Sequence, residues 1–286
     1  MKQTDIQYEC PLQPRQLRID STTVCNARCL SCHRSLSKRH GEMPTELLLK
    51  VLDTASKLPQ PLTEIIPVNY GEFMCRKDWL WILQQIAMKL PKTQIVLPTN
   101  GSLFDRESIE QLCSIHTLKI INFSVNAFFD ETYEQFMGLP ASNIKNIRKA
   151  INLIKLFRPD ILIWISMVAD PVYQTDREKE LFKTYWQEWG LVWFLSASSA
   201  GRDGKSPCHP VKVPCRSIFS DLVVGYDGKL SSCCWDSRFS IDLGFLQDYG
   251  MDILKAWRNE KITRLRQLHN EHRRDEVELC KGCTSA

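Results

Sequence analysis

From Leu17 to about Leu195, short apolar runs alternate with longer amphipathic segments, the pattern of β/α units around a parallel sheet. The predicted strands are Gln16–Asp20, Glu64–Asn69, Gln94–Leu97, Lys119–Val125, Asp160–Val168 and Leu191–Leu195, rich in the Ile, Val, Phe and Trp of buried strands. Between them, apolar residues recur every three or four positions over Thr45–Lys57, Trp79–Lys89, Arg106–Ile115, Asn143–Phe157 and Arg177–Trp189, which predicts helices on the outside. Six such units give an α/β fold, a partial (β/α)6 TIM-like barrel. Near Ser198 the rhythm stops, and Gly201, Gly204, Pro207, Pro210 and Pro214 mark a linker. Beyond it, Leu222–Gly225 and Lys229–Ser232 flank Tyr226-Asp227-Gly228, where Asp-Gly suits a tight hairpin turn, and one or two helices run from Met251 to about Asn270. The chain thus divides into a barrel over 1–197, a linker over 198–214 and a small α+β domain over 215–286.

Composition narrows the class. Of 286 residues, 43% are apolar and 24% charged, ordinary globular usage, and the length allows one large core with an appendage. Met1–Gln16 lacks the apolar core of a signal peptide and no later stretch reaches membrane-spanning length, so a cytoplasmic chain with no membrane partner is expected. The net charge of +4 is too small to argue for nucleic acid. Lys261, Arg264, Arg266, Arg273 and Arg274 form a basic C-terminal stretch whose spacing reads as a solvated helix face. Twelve cysteines in a reducing compartment point to metal or redox chemistry.

Cys25, Cys29 and Cys32 stand at Cys-x3-Cys-x2-Cys spacing immediately after the first strand. The loops following parallel strands are where barrels build active sites. A [4Fe–4S] cluster normally takes four cysteines, so a compact trio leaves one iron open to an external ligand. Structural zinc, completed by a fourth ligand such as His33, is the competing reading.

This spacing after a first strand resembles the radical S-adenosylmethionine superfamily, and the resemblance extends over nearly the whole chain. It implies that Cys25, Cys29 and Cys32 hold a [4Fe–4S] cluster whose open iron is chelated by S-adenosylmethionine, cleaved on reduction to a 5′-deoxyadenosyl radical. Tyr70-Gly71-Glu72 looks like the family's Gly-Gly-Glu motif for the cofactor's amino group, with Tyr70 in the first glycine's place. Thr99-Asn100-Gly101 resembles the turn after the third strand, Ser124-Val125-Asn126 resembles a cofactor contact ending the fourth, and Ser166 is a further candidate on the fifth. Ser31 replaces the usual aromatic before Cys32, and the arginine often found after the fourth strand is absent around Phe136-Met137-Gly138.

Downstream, Cys215, Cys233, Cys280 and Cys283 supply four thiolates, enough for one more [4Fe–4S] cluster, with the Asp227-Gly228 turn bringing Cys215 and Cys233 together. The set resembles the Twitch domain, the shortened SPASM domain of the same superfamily; a zinc ribbon is the alternative. Cys113, beside Leu112 and Ile115 on a helix, reads as core. Gly204-Lys205-Ser206 lacks the earlier glycine of a phosphate loop, and the following prolines break the helix such a loop needs. His40, His116, His269 and His272 show no metal-like arrangement and read as surface or helix-end residues.

The resemblance implies oxidation of an unactivated C–H bond in a small polar molecule such as a sugar or aminocyclitol, or in a peptide. It also implies an electron donor of the flavodoxin or ferredoxin kind. Cys234, beside ligand Cys233, is the candidate hydrogen-atom donor if the reaction is instead an epimerisation. A non-catalytic, zinc-stabilised binding module is the reading from another class.

Overall fold

The computed structural model describes residues 6–196 and 211–285. Most of the expected linker, with Gly204-Lys205-Ser206 and Cys208, lies outside them.

The six expected strands form: β1 Gln16–Ile19, β2 Glu64–Ile66, β3 Gln94–Thr99, β4 Leu118–Ser124, β5 Leu162–Ala169 and β6 Leu191–Ser196. They pair parallel in order β6-β5-β4-β3-β2-β1, as a partial barrel requires. Alternation decides which side chains pack outward. Leu17, Ile19, Ile65, Leu97, Ile121, Phe123, Ile163 and Ile165 belong to the main core, while the intervening positions turn inward, where Ile66, Val96 and Ile120 form a small separate cluster with Trp164.

The covering helices are α1 Thr45–Ser56, α2 Trp79–Lys89, α3 Arg106–Cys113, α4 Asp130–Met137, α5 Ser142–Phe157 and α6 Asp176–Trp186. Their ends follow from local chemistry. Asp105 caps α3 by accepting from Ser108 N at 2.8 Å, and Thr175 caps α6 through Glu178 N. The apolar periodicity does not single out α4, which is one short amphipathic stretch; it stops at Gly138, whose φ of +62° suits glycine. Cys113 packs in the core as expected.

The C-terminal part holds α7 Ser217–Ser220, the hairpin strands β7 Asp221–Val224 and β8 Leu230–Ser231, α8 Ile253–Trp257 and α9 Glu260–Asn270. The predicted hairpin exists, with Gly228 at φ +90°. It does not stand apart from the barrel: β7 pairs parallel with β1, Gln16 facing Asp221 and Ile19 facing Val224, so the sheet has eight strands. No helix among the described residues is long and apolar enough to cross a membrane.

The basic C-terminal stretch corrects one expectation. Lys261, Arg264 and Arg273 are exposed, but Arg266 and Arg274 are 3% and 2% exposed. Arg266 stacks 3.9 Å over the Trp257 ring and donates to the Ile218 and Trp257 carbonyls. Helical spacing misled here because a guanidinium is tolerated inside when backbone carbonyls and an indole face receive it.

Candidate active site

The segment carrying Cys25, Cys29 and Cys32 leaves the C-terminal end of β1 and is fixed by backbone bonds. Glu72 N donates to Val24 O at 2.8 Å, Arg28 N to Met137 O at 3.0 Å and Leu30 N to Phe136 O at 2.9 Å. Helix α4 therefore serves as the loop's backrest, and the Met137 sulfur lies 3.6 Å from Cys29 Sγ. Burial pushes the Cys25 thiol up to about 11 and Cys29 to about 12, and Cys32 adds to the rise in both. Cys25 and Cys29 therefore resist ionisation until a cation compensates them, and with Cys32 half-buried beside them the trio fits a cluster site.

Glu72 is 2% exposed, and its carboxylate accepts from Met74 N, from Thr99 Oγ1 at 2.9 Å and from Asn100 N at 2.7 Å. Burial raises its pKa. The side chain is thus occupied in tying the loop after β2 to the turn after β3. Asn100 extends the tie by donating to Asn26 Oδ1 at 2.9 Å, inside the cysteine loop. Ser124 and Asn126 line one cavity together with Glu72 and Asn100; Asn126 has φ +63°, and its side chain accepts from Val168 N and donates to the Met137 sulfur. Ser166 is buried, donates to Phe123 O and is not among the cavity's walls. Tyr70, in the first glycine's place, donates its hydroxyl to Cys234 O, and Asn69 Nδ2 donates to the same carbonyl at 3.1 Å. His33, next to Cys32, pairs its Nδ1 with Trp235 O at 2.9 Å. These bonds strap the segment around Cys233 over the barrel mouth.

Cys215, Cys280 and Cys283 are buried. Burial raises the pKa of Cys215, Cys233 and Cys280, with further rises from other members of the set: Cys283 on Cys215, Cys215 and Cys280 on Cys233, Cys283 and Cys215 on Cys280. The fold therefore gathers these four thiols. Among the described residues no three or more His, Cys, Asp or Glu are arranged to hold a single metal ion; a cubane gives each thiolate its own iron and does not need the sulfurs to converge on one point. Two buried donors close by lack acceptors: His269 Nε2 and Arg274 Nε. Each orphan costs roughly 1–3 kcal/mol unless something receives it, and the sulfur of a four-thiolate cluster suits. His269 ends α9 as expected but is 0% exposed rather than at the surface, because its Nδ1 accepts from Cys215 N at 3.1 Å.

A cavity of ≈ 320 Å³ has the N-terminal cysteine trio, Gly71, Glu72 and, from the C-terminal part, Cys234 and Trp235 in its walls. Its other walls went unnoticed in the sequence: Arg18, Glu64, Asn122, Trp164 and Trp193. The signal was present, since each takes an inward position of its strand. Arg18 Nε makes only a long 3.9 Å ion pair with Asp221, Glu64 accepts from Gln16 Nε2 at 2.6 Å, and the two indoles meet edge to face at 5.8 Å.

Asp20, below this mouth, accepts from Asn69 N and Tyr70 N, and burial pushes its pKa up to about 6 against those bonds. A carboxyl raised on folding stabilises fully below its unfolded pKa of 3.8, and that contribution is lost as pH rises through about 6. Asp20→Asn keeps an acceptor oxygen and removes the buried charge. It is expected to raise stability at pH 7 to 8 by about 2–3 kcal/mol, with the gain vanishing near pH 4. Urea unfolding of both chains across this range checks the sign.

Residues 19–183 match the family model described as the radical SAM superfamily, and residues 215–284 match the SPASM iron–sulfur cluster-binding domain. A curated relative, a probable GTP 3′,8-cyclase of Methanosarcina mazei, is 27% identical over 142 residues, 48% of this chain and 40% of that one. The chain therefore spans less than half the length of this relative. Among solved structures, BtrN in complex with AdoMet and 2-DOIA superposes with a TM-score of 0.67 at 18% identity, covering 98% of this chain and 95% of that one. Native anSMEcpe with bound AdoMet gives 0.69 at 18%, covering 94% and 89%. At such identities the likeness shows the fold alone. The family model, by contrast, spans more than half of the chain, the cysteine loop and its supports included, so this chain belongs to the radical S-adenosylmethionine superfamily, with [4Fe–4S] clusters and S-adenosylmethionine as its cofactors.

Proposed function

We propose that this chain is a radical oxidoreductase that removes a hydrogen atom from an unactivated C–H bond of a small polar molecule, such as a sugar or aminocyclitol, and completes a two-electron oxidation. Bound here, the clusters and S-adenosylmethionine supply the abstracting radical and an acceptor for the second electron. Cys25, Cys29 and Cys32 are assigned to the first cluster, Cys215, Cys233, Cys280 and Cys283 to the second, and the shelf of Gly71, Glu72, Asn100, Ser124 and Asn126 to the cofactor. A flavodoxin or ferredoxin of the cytoplasm is the assigned reductant.

The lumen carries the substrate reading. Ile66 and Val96, clustered with Ile120 and Trp164, line it beside the cofactor shelf, so a compact ligand would meet an apolar surface there. Arg18, Glu64 and Asn122 offer polar contacts on one side of the indole pair Trp164 and Trp193, an arrangement that receives a ring with hydroxyl groups and a C–H face. The match to the cyclase covers too little of that protein to carry its reaction over.

A second reading has its own observation. Cys234 lines the cavity, and burial pushes its thiol up to about 11, with Asp221 and Cys215 raising it and Arg18 lowering it. It stays protonated at neutral pH, as a hydrogen-atom donor for epimerisation must. Anaerobic turnover in deuterated water with Cys234→Ala separates the two. The oxidation reading expects an oxidised product, no solvent deuterium at carbon, and rates within about threefold of wild type in the variant. Deuterium in a configurationally inverted product, lost in Cys234→Ala while 5′-deoxyadenosine still forms, would replace it with epimerisation.

A further inference from the structure

The orphaned donors beside the C-terminal cysteines belong to two residues that no part of the reaction requires. His269 is fully buried, and because its Nδ1 accepts from the Cys215 backbone N–H, the ring proton sits on Nε2, the atom with no partner. Arg274 is equally enclosed. Its Nη1 donates to Val213 O at 2.9 Å and Ser285 O at 2.8 Å, so one guanidinium clasps the chain two residues before Cys215 to the chain two residues after Cys283. Its Nε–H is left without an acceptor. Its charge acts on Cys215, Cys280 and His269 alike, which places all of them in one electrostatic neighbourhood. Neither donor finds an acceptor among the protein atoms; the sulfur of a group held by the four thiols would receive both.

We propose that His269 and Arg274 are positioning residues of the auxiliary cluster, whose buried N–H groups donate to its sulfur atoms and raise its reduction potential. One-electron reduction adds a negative charge to the cluster with no bond made or broken, and donors and a buried cation favour the more negative form. The effect biases the C-terminal site toward accepting an electron. A side chain that only packed, with neither an N–H nor a charge reaching the cluster, would leave the potential where it was.

This inference rests on the C-terminal cysteines holding a [4Fe–4S] cluster and is independent of the substrate and the reaction. The test is an anaerobic redox titration, followed by electron paramagnetic resonance, of the reconstituted full chain carrying alanine at positions 25, 29 and 32, so that only the auxiliary signal is read. Arg274→Met and His269→Leu are each expected to lower the equilibrium constant for reduction about tenfold, ~59 mV for one electron. His269→Gln, which keeps an N–H at similar reach, is expected to stay within about threefold of the parent. Intact clusters with unshifted potentials in Arg274→Met and His269→Leu would sink the proposal. So would loss of iron from His269→Gln along with the others, since the role would then be packing. Stoichiometric zinc with no paramagnetic signal in the parent would remove the cluster reading itself, an outcome distinct from either.

Discussion

Cys29→Ala is expected to bind about four fewer irons per chain than wild type and to form no detectable 5′-deoxyadenosine under reducing conditions, while keeping its fold and its auxiliary cluster. The effect is large because the trio has no spare member. In the proposed assignment each thiol of the Cys-x3-Cys-x2-Cys loop serves one iron, and two thiolates would be too few for a cubane whose fourth iron already lacks a protein ligand. The fold persists because the loop is held by backbone bonds to Gly41, Met137 and Phe136, none of which involves a cysteine sulfur. Iron analysis, visible absorption and product chromatography on both proteins check the result. Unchanged iron with undiminished cofactor cleavage would show that the cluster is held elsewhere.

Gly71→Ala should weaken S-adenosylmethionine binding at least tenfold, with partial loss of the first cluster. A Cβ at Gly71 would collide with the Thr22 carbonyl and lie 2.8 Å from Val24 O. Both atoms are main chain in the segment that delivers Cys25, so no side-chain rotation relieves the clash, and overpacking of this kind typically costs about 1–3 kcal/mol. The strain cannot be absorbed by moving Glu72 either, because its carboxylate is committed to Thr99 and Asn100. Affinity for S-adenosylmethionine by calorimetry on the reconstituted variant measures the loss. Affinity within twofold of wild type would show that the two loops do not need their close approach.

The barrel was legible because short apolar runs alternate with amphipathic helical segments from Leu17 to about Leu195, although the inner and outer alternation within each strand was not read. Leu17 and Ile19 pack against helices while Gln16 and Arg18 face the lumen, and Phe123 and Ile165 repeat the pattern opposite Asn122 and Trp164. The cysteine spacings were legible because cluster chemistry fixes ligand number. What local pattern does not carry is pairing over distance. The Asp227-Gly228 hairpin announces itself, but nothing in Asp221–Val224 says that its outer edge meets β1. Burial of Arg274 and His269 was illegible for the same reason, since polar side chains inside declare themselves only through partners such as Val213 O, Ser285 O and Cys215 N. Tyr70 in a glycine's place became intelligible only when its partner proved to be Cys234 O.

The parallel pairing of β1 with β7 also bears on how the chain comes to be folded. Strand β1 leaves the ribosome long before its neighbour on one side, β7. Until β7 arrives, β1 therefore carries a row of unsatisfied amides and carbonyls along one border, a template for strand addition by any stray chain. Contacts this distant in sequence also form slowly, because a long loop must close before they stabilise anything. A truncation that ends with the barrel leaves that border permanently open, so such a fragment is an aggregation hazard and a poor stand-in for the N-terminal half of the enzyme.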